Sequence, residues 1–420
     1  MIVNILIFLV GLTVYAGYGW TGLVWLLGLA LLTYGCARLQ KRLPWLSWVS
    51  VAASAAALVL FKCQHLVGLS LLAPLGVSYF TLRLIAYTVD IRRGKYEPER
   101  NLFRFLLNVT YLPHLSMGPI ESYDKLDAAL FEDRRITWDG ISIGAVRVLW
   151  GLFKKLVIAS RAGVIVSAIA GDTDQYRGGF ALAAMVLYWI QLYCDFSGGM
   201  DMVLGFSRML GIRLSENFDA PFLAESFQEF WRRWHITLGA WLRNYVYIPL
   251  GGNRKGKARK FLNLVITFLV SGFWHGFHYL LWGAVNGVFV SLGQRLQTKC
   301  KILNRVVTFL LVSMLWSFFI WPDTLTAMKM ILSLFTTFNY GTLLSGIGAM
   351  GLTVGDWIVL GVAVAALLVC DAYRASTGEK LKGFGPAARL ALCGAIGMLV
   401  LVFGMYGLGF NAGEFIYSRF

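Results

Sequence analysis

Two stretches hold the side chains best suited to chemistry. FLVSGFWHGFHYLLWG (268–283) contains His275 and His278, and FWRRWHITLGAWLRNYVYIPLGGNRKGKARKF (230–261) contains His235, eight basic residues and no acidic one. His275 falls near the end of an apolar run long enough to enter a bilayer. An ionisable group inside such a run is a functional candidate, because its burial must be offset. Desolvation favours the uncharged imidazole, the form a general base requires. A lone intramembrane histidine also serves as a helix-to-helix hydrogen-bonding group, and the residues alone leave both roles open. Gly272 and Gly276 flank it at small-xxx-small spacing, which lets a neighbouring helix or a substrate chain approach. His275 and His278 are spaced i, i+3, but no carboxylate or cysteine accompanies them, so no metal site is expected. His65 and His114 have no partner pattern. No nucleophile motif, phosphate-binding glycine loop or catalytic carboxylate pair is present.

In the basic stretch, Trp231, Trp234, Leu238, Trp241 and Tyr245 recur at helical spacing, with Arg232, His235, Gly239 and Arg243 opposite. This predicts one amphipathic helix at the membrane–water boundary, with His235 on its wet face among cations. Such a helix can bind anionic lipid. Its Arg232, Arg233 and Arg243, with Lys255 on the following Gly-rich loop, can also dock an anionic donor, since guanidinium pairs bidentately with phosphate. For His235 the residues favour a hydrogen-bonding role. Asp195 and Asp201, six apart in CDFSGGMDM, are expected with Asn217, Trp234 and Trp274 to frame a cavity.

The elements that must position these groups follow from composition. Of 420 residues 58% are hydrophobic and 14% charged, and the mean hydropathy is +0.65. That is too apolar for a soluble globular chain. The apolar segments match the ~20 residues a bilayer-spanning helix needs, and alternating ten-residue strands are lacking, so the fold class is all-α: a polytopic transmembrane bundle. About eleven spans are expected, at 1–16, 20–35, 47–62, 66–90, 143–170, 179–196, 262–276, 279–294, 306–321, 355–372 and 388–410. The net charge of +16 sits in connections such as Arg92/Arg93/Lys95, Lys154/Lys155, Arg254–Lys260, Arg295/Lys299/Lys301 and Arg374/Lys380/Lys382. That is the positive-inside pattern and not a nucleic-acid surface, and it places the N-terminus inside and the C-terminus outside. Residues 103–123, broken by Pro113 and Pro119, and the polar-apolar 197–250 are expected to be re-entrant or interfacial pieces lining a central cavity. Six scattered cysteines read as small hydrophobes. One domain, 1–420, is the simplest division.

At these residues the chain resembles the membrane-bound O-acyltransferase family, in particular its bacterial alginate O-acetylase branch. The resembling pieces are PLGVSYFTLRLIAYTVDIRRGKYEPERN (74–101), MGPI (117–120), YCDFSGGMDMVLGFSRMLGIRLSENFDAPF (193–222), FWRRWHITLGAWLRNYVYIPLGGNR (230–254) and SGFWHG (271–276). They lie within a core of approximately 74–294. The resemblance implies a bacterial inner-membrane enzyme with His275 as the catalytic histidine and His235 as the family's second one. It implies an acyl thioester donor such as acetyl-CoA, with no bound cofactor. The acceptor would be an extracellular polysaccharide or a partner acyl-relay protein. D-alanyl transfer to teichoic acid, by a related branch, is the neighbouring alternative. Gly199 and Met200 depart from the family's usual residues after DFSG, and the chain begins one hydrophobic segment later than many relatives, in line with an inward N-terminus. The C-terminal EFIYSRF resembles an aromatic end of this branch and is expected to engage the acceptor or a partner. A transporter or flippase without acyl chemistry, and a structural membrane anchor, are the rivals from other classes.

Overall fold

The computed structural model describes residues 2–132, 134–293, 297–348, 350–377 and 383–406. Arg295, Lys380, Lys382 and EFIYSRF lie outside the described residues. Among those described there is no strand; one isolated bridge joins Phe218 to Trp234. Among the described residues, six helices are long and apolar enough to cross a membrane: Trp20–Leu39, Leu46–Cys63, Gly179–Met209, Lys301–Ile320, Val354–Ser376 and Pro386–Phe403. A seventh crossing is possible if Thr324–Thr336 and Tyr340–Gly348, bent by 99°, act as one. That pair falls where the sequence reading placed no span.

By length and hydropathy the expected eleven spans are not reached, and the shortfall has local causes. The expected span 66–90 is interrupted: a 3-10 turn at Gln64–Val67 is followed by irregular chain, and helix resumes only at Val77–Arg92. The expected span 143–170 lies in continuous helix composed of Trp138–Phe153, a π-helical turn Lys154–Ala159 and Ser160–Gly171. Its two lysines are not a surface connection, as the charge pattern suggested. Lys154 and Lys155 are 2% and 6% exposed, inside the bundle. Their partners lie on another helix, so sequence spacing could not reveal them.

The centre of the fold is the contact between this π-containing helix and Gly179–Met209. Glycines make it close: a Cβ at Gly144 would meet the Gly205 carbonyl at 2.5 Å, and one at Gly151 would meet the Gly198 carbonyl at 2.4 Å. Two glycine pairs seven residues apart thus form a seam of backbone on backbone, the small-residue packing used where lipid supplies no hydrophobic drive between helices. The seam brings both lysines onto the facing helix. The ammonium of Lys154 lies 2.7 Å from Asp201, and that of Lys155 lies 2.7 Å from Asp195. A π turn adds one residue to the helical circuit, and here it occurs where these two adjacent lysines both face Gly179–Met209. The helices Gly256–His275 and Leu280–Leu292 form a second close pair, with Gly283 against the backbone of Phe268 and Gly272. The neighbour that Gly272 was expected to admit is therefore the next helix of this chain.

Candidate active site

His275 is the last residue of helix Gly256–His275. The helix ends there because Gly276 adopts φ 155°, a conformation L side chains rarely take, while its N–H still closes on Gly272 O at 3.1 Å. The imidazole is set among aromatic edges: Trp274 at 4.8 Å, Phe319 at 5.4 Å and Trp282 at 5.5 Å between ring centroids. The residue is buried, at 6% exposed. Neither His275 nor His235 lines the cavities of about 370 and 270 Å³ near the bundle's ends. Lys62, half-buried at the end of Leu46–Cys63, donates a long 3.4 Å hydrogen bond to the His275 carbonyl.

His235 departs from the sequence expectation. The predicted single amphipathic helix is two short ones, Phe227–Arg233 and Ile236–Leu242, continued by a π turn Arg243–Tyr247. Between the two, His235 sits in the left-handed region at φ 46°, ψ 52°. A non-glycine residue held there stores about 1–3 kcal/mol, which the surroundings must enforce. Asn217 supplies the enforcement: its carbonyl accepts from Ile236 N at 3.0 Å, and its Oδ1 accepts from Thr237 N at 3.0 Å and Thr237 Oγ1 at 2.9 Å. The break turns His235 inward. It is 2% exposed, not on a wet face among cations, and its ring lies 5.0 Å from Phe196, 6.0 Å from Trp274 and 6.5 Å from Tyr79.

Trp274 therefore contacts both imidazoles. Its Nε1 donates to Ser78 O at 2.9 Å, and Trp241 Nε1 donates to Leu82 O at 2.9 Å, which anchors both histidine segments to Val77–Arg92. Trp234 has a different place, in an aromatic cluster with Phe218 at 4.8 Å and Trp189 at 4.9 Å. Replacing Asn217 by alanine removes the acceptor that two Thr237 donors share in a fully buried site. An unsatisfied buried donor costs about 1–3 kcal/mol, so Asn217→Ala is expected to lower the thermal midpoint in detergent measurably. Asn217→Asp, which keeps an acceptor, should lose less. Equal midpoints for wild type and Asn217→Ala would mean that the turn at His235 is held by other contacts.

The basic residues divide into two kinds. Arg232, Arg243 and Lys255 are exposed. Arg233 is half-buried and engaged, 2.8 Å from Glu229 and donating to Asp219 O at 3.0 Å, so its charge is already answered. The Arg243–Tyr247 turn is fastened to the rest by Tyr245, whose hydroxyl donates to Asp90 at 2.8 Å. In the adjoining loop, Lys95 lies 3.1 Å from Asp124 and 3.3 Å from Asp90. Partial burial works against its ammonium, but the bond to Asp124 and the charge of Asp90 outweigh that and hold its pKa above the usual value. A raised lysine pKa stabilises below the unfolded value and is lost only as pH rises through the folded one, so this clasp is fully present at neutral pH.

Asp195 and Asp201, expected to frame a cavity, are each engaged by a buried cation. Arg147 also reaches Asp201 at 2.8 Å and bonds Glu216 at 2.7 Å. Asp195 is adjacent in sequence to Phe196, which packs on the His235 ring, so this charged frame backs the site. Sequence reasoning passed over Lys62 and Tyr79. Tyr79 lies in the PLGVSYF stretch quoted for the resemblance, and Lys62 is a cation closing an apolar run; both signals were present. His278 is exposed on a 3-10 turn, and His114 is buried beside Tyr111.

The chain is 36% identical over 331 residues to a probable alginate O-acetylase of Pseudomonas fluorescens, covering 77% of this chain and 66% of that protein. It is 32% identical over 305 residues to a peptidoglycan O-acetyltransferase of Helicobacter pylori, covering 64% and 58%. It is 27% identical over 290 residues to a teichoic acid D-alanyltransferase of Streptococcus thermophilus, covering 65% and 70%. The chain spans about two thirds of the length of the alginate O-acetylases it matches, or slightly less. The profile of the MBOAT, membrane-bound O-acyltransferase family matches residues 42–337, which include both histidines, the lysine–aspartate frame and the glycine seam. This multi-pass membrane protein belongs to the membrane-bound O-acyltransferase family.

Proposed function

We propose that this protein is an O-acyltransferase of the bacterial inner membrane that moves an acetyl group from a thioester on the cytosolic side to a hydroxyl of a cell-envelope polysaccharide, directly or through a partner acyl-relay protein. The observation that carries the reading is His275. It is a buried imidazole at a helix end, packed against a tryptophan that also contacts a second buried imidazole, in a chain of this family. The hydroxyl oxygen attacks the thioester carbonyl carbon as His275 takes the hydroxyl proton. The carbon–sulfur bond then breaks, the new ester bond remains, and the proton passes to the departing thiolate. General-base help of this kind is worth ~10²–10⁴-fold in rate. His235 is the second histidine of the site, placed by its strained turn beside Trp274.

Three further observations support the details. The relatives named as O-acetylating enzymes are more similar than the D-alanyltransferases, 36% and 32% identical against 27%. Exposed Arg232, Arg243 and Lys255 offer charge to an anionic donor such as acetyl-CoA; paired Arg233 does not. The basic connections that remain at the surface favour their placement in the cytosol, with the N-terminus inside.

The test is transfer itself. Membrane vesicles carrying the full chain, supplied with acetyl-CoA labelled in the acetyl group, should place hydroxylamine-labile label on polysaccharide or on a co-purifying protein. Label that crosses the membrane without becoming covalent would identify a transporter and end the proposal, as would covalent label no greater than in vesicles lacking the chain.

A further inference from the structure

Away from the histidines, a cavity of about 370 Å³ opens where the C-terminal end of Gly179–Met209 meets the N-terminal ends of Trp138–Phe153 and Pro386–Phe403. Four arginines line it, Arg135, Arg208, Arg213 and Arg389, against one acidic residue, Asp139. Asp139 is already taken, at 2.6 Å from Arg389 Nη1. Among the described residues no ion pair reaches Arg135, Arg208 or Arg213. Arg389 is only 5% exposed, yet its Nε has no hydrogen-bond partner, and neither has the buried Nε of Arg208. Thr137, whose hydroxyl caps Gly140 N at 3.0 Å, also lines the cavity, so the N-terminal end of a helix adds its partial positive charge.

Such an arrangement is costly to the protein alone. Four like charges repel, and a buried N–H without an acceptor loses its water without replacement. An anion removes both costs at once. The fork of a guanidinium matches the oxygens of a phosphate bidentately, and several forks around one cavity favour a group with several anionic oxygens over a monatomic ion. The arginines come from three separate stretches of the sequence, so only the fold assembles them.

We propose that this cavity is a binding site for a phosphate group, either from a soluble phosphorylated compound or from the headgroup of an anionic phospholipid. The site is distinct from the histidine centre. Along the Gly179–Met209 helix, Arg208 is twelve residues from Phe196, which packs on His235; at 1.5 Å per residue that is about 18 Å. Binding there needs no acyl chemistry, so it stands or falls separately from the proposed function.

The full chain, in neutral detergent freed of anionic lipid, is titrated with inorganic pyrophosphate and with adenosine 3′,5′-bisphosphate while its thermal midpoint is followed. In a parallel arm it is placed in nanodiscs of phosphatidylcholine with or without phosphatidylglycerol. A midpoint raised by the soluble compounds identifies a soluble phosphate; one raised only by phosphatidylglycerol identifies a lipid headgroup. Either supports the site if Arg208→Gln weakens the response about tenfold or more, as loss of a charge-assisted hydrogen bond should. Should Arg208→Gln fail to fold, exposed Arg213→Gln carries the same test, and Arg177→Gln, elsewhere on the surface, should respond as wild type does. No response to any probe, or an undiminished response in the Arg208 and Arg213 variants, overturns the proposal.

Discussion

His275→Ala is expected to lower acetyl transfer by about 10²–10⁴-fold while the protein remains inserted and folded. The reasoning combines position with packing. The ring is enclosed by Trp274, Trp282 and Phe319, so its removal leaves a small hollow in an aromatic shell and not an uncompensated charge. Overall stability should therefore fall modestly, by the few kcal/mol a truncated buried side chain costs. His275→Gln, which fills much of the space and keeps hydrogen-bonding atoms but cannot serve as the base, separates the two effects. It should recover stability and not activity. His235→Gly gives a second contrast: glycine accepts φ 46° freely, so the backbone turn survives while the imidazole is gone. A structural second histidine predicts that this variant keeps much of its activity, and a chemical one predicts that it does not. Transfer within threefold of wild type in both His275 variants would remove that ring from the reaction.

Much of this was legible in the sequence, and the failures share one physical character. The apolar runs that became Trp20–Leu39, Leu46–Cys63, Gly179–Met209 and Pro386–Phe403 announced themselves, because spanning a bilayer is a property of a single segment. His275 was legible for the same reason, as an ionisable residue at the end of one run. The turn at His235 was not. Trp231, Trp234, Leu238 and Trp241 keep helical spacing across it, and what breaks the helix is Asn217, which lies eighteen positions upstream and meets Ile236 and Thr237 only in the fold. Lys154 and Lys155 were misplaced likewise: a pair of lysines reads as a surface loop until Asp201 and Asp195 are seen opposite. Arg135, the neighbouring Arg208 and Arg213, and Arg389, drawn from three distant stretches, had no local signature as a group. Properties of one segment were readable, and properties of pairs were not.

The buried pairs carry the second large effect. Lys155→Met or Asp195→Leu alone is expected to destabilise the protein by about 3–5 kcal/mol, because each leaves the other's charge buried in the bundle. Lys155 and Asp195 have side chains 7% and 5% exposed and lie 2.7 Å apart, so neither can turn to water without separating the helices. Those helices are locked close by, at Gly151 against Gly198, where a carbonyl would sit 2.4 Å from any added Cβ. The double variant Lys155→Met with Asp195→Leu removes both charges and should recover at least half of either single loss, since an apolar pair of similar bulk often matches a buried ion pair in stability. The Lys154–Asp201 contact should be more forgiving, because Arg147 still reaches Asp201 at 2.8 Å after Lys154→Met. Thermal unfolding of the four proteins of the Lys155–Asp195 cycle in one detergent measures the coupling. Single and double losses that simply add would show that the two charges are stabilised separately, and that the helix seam does not depend on their meeting. Recovery in the double variant would also separate stability from reaction: if the frame only holds Phe196 and His235 in place, transfer should return along with the thermal midpoint.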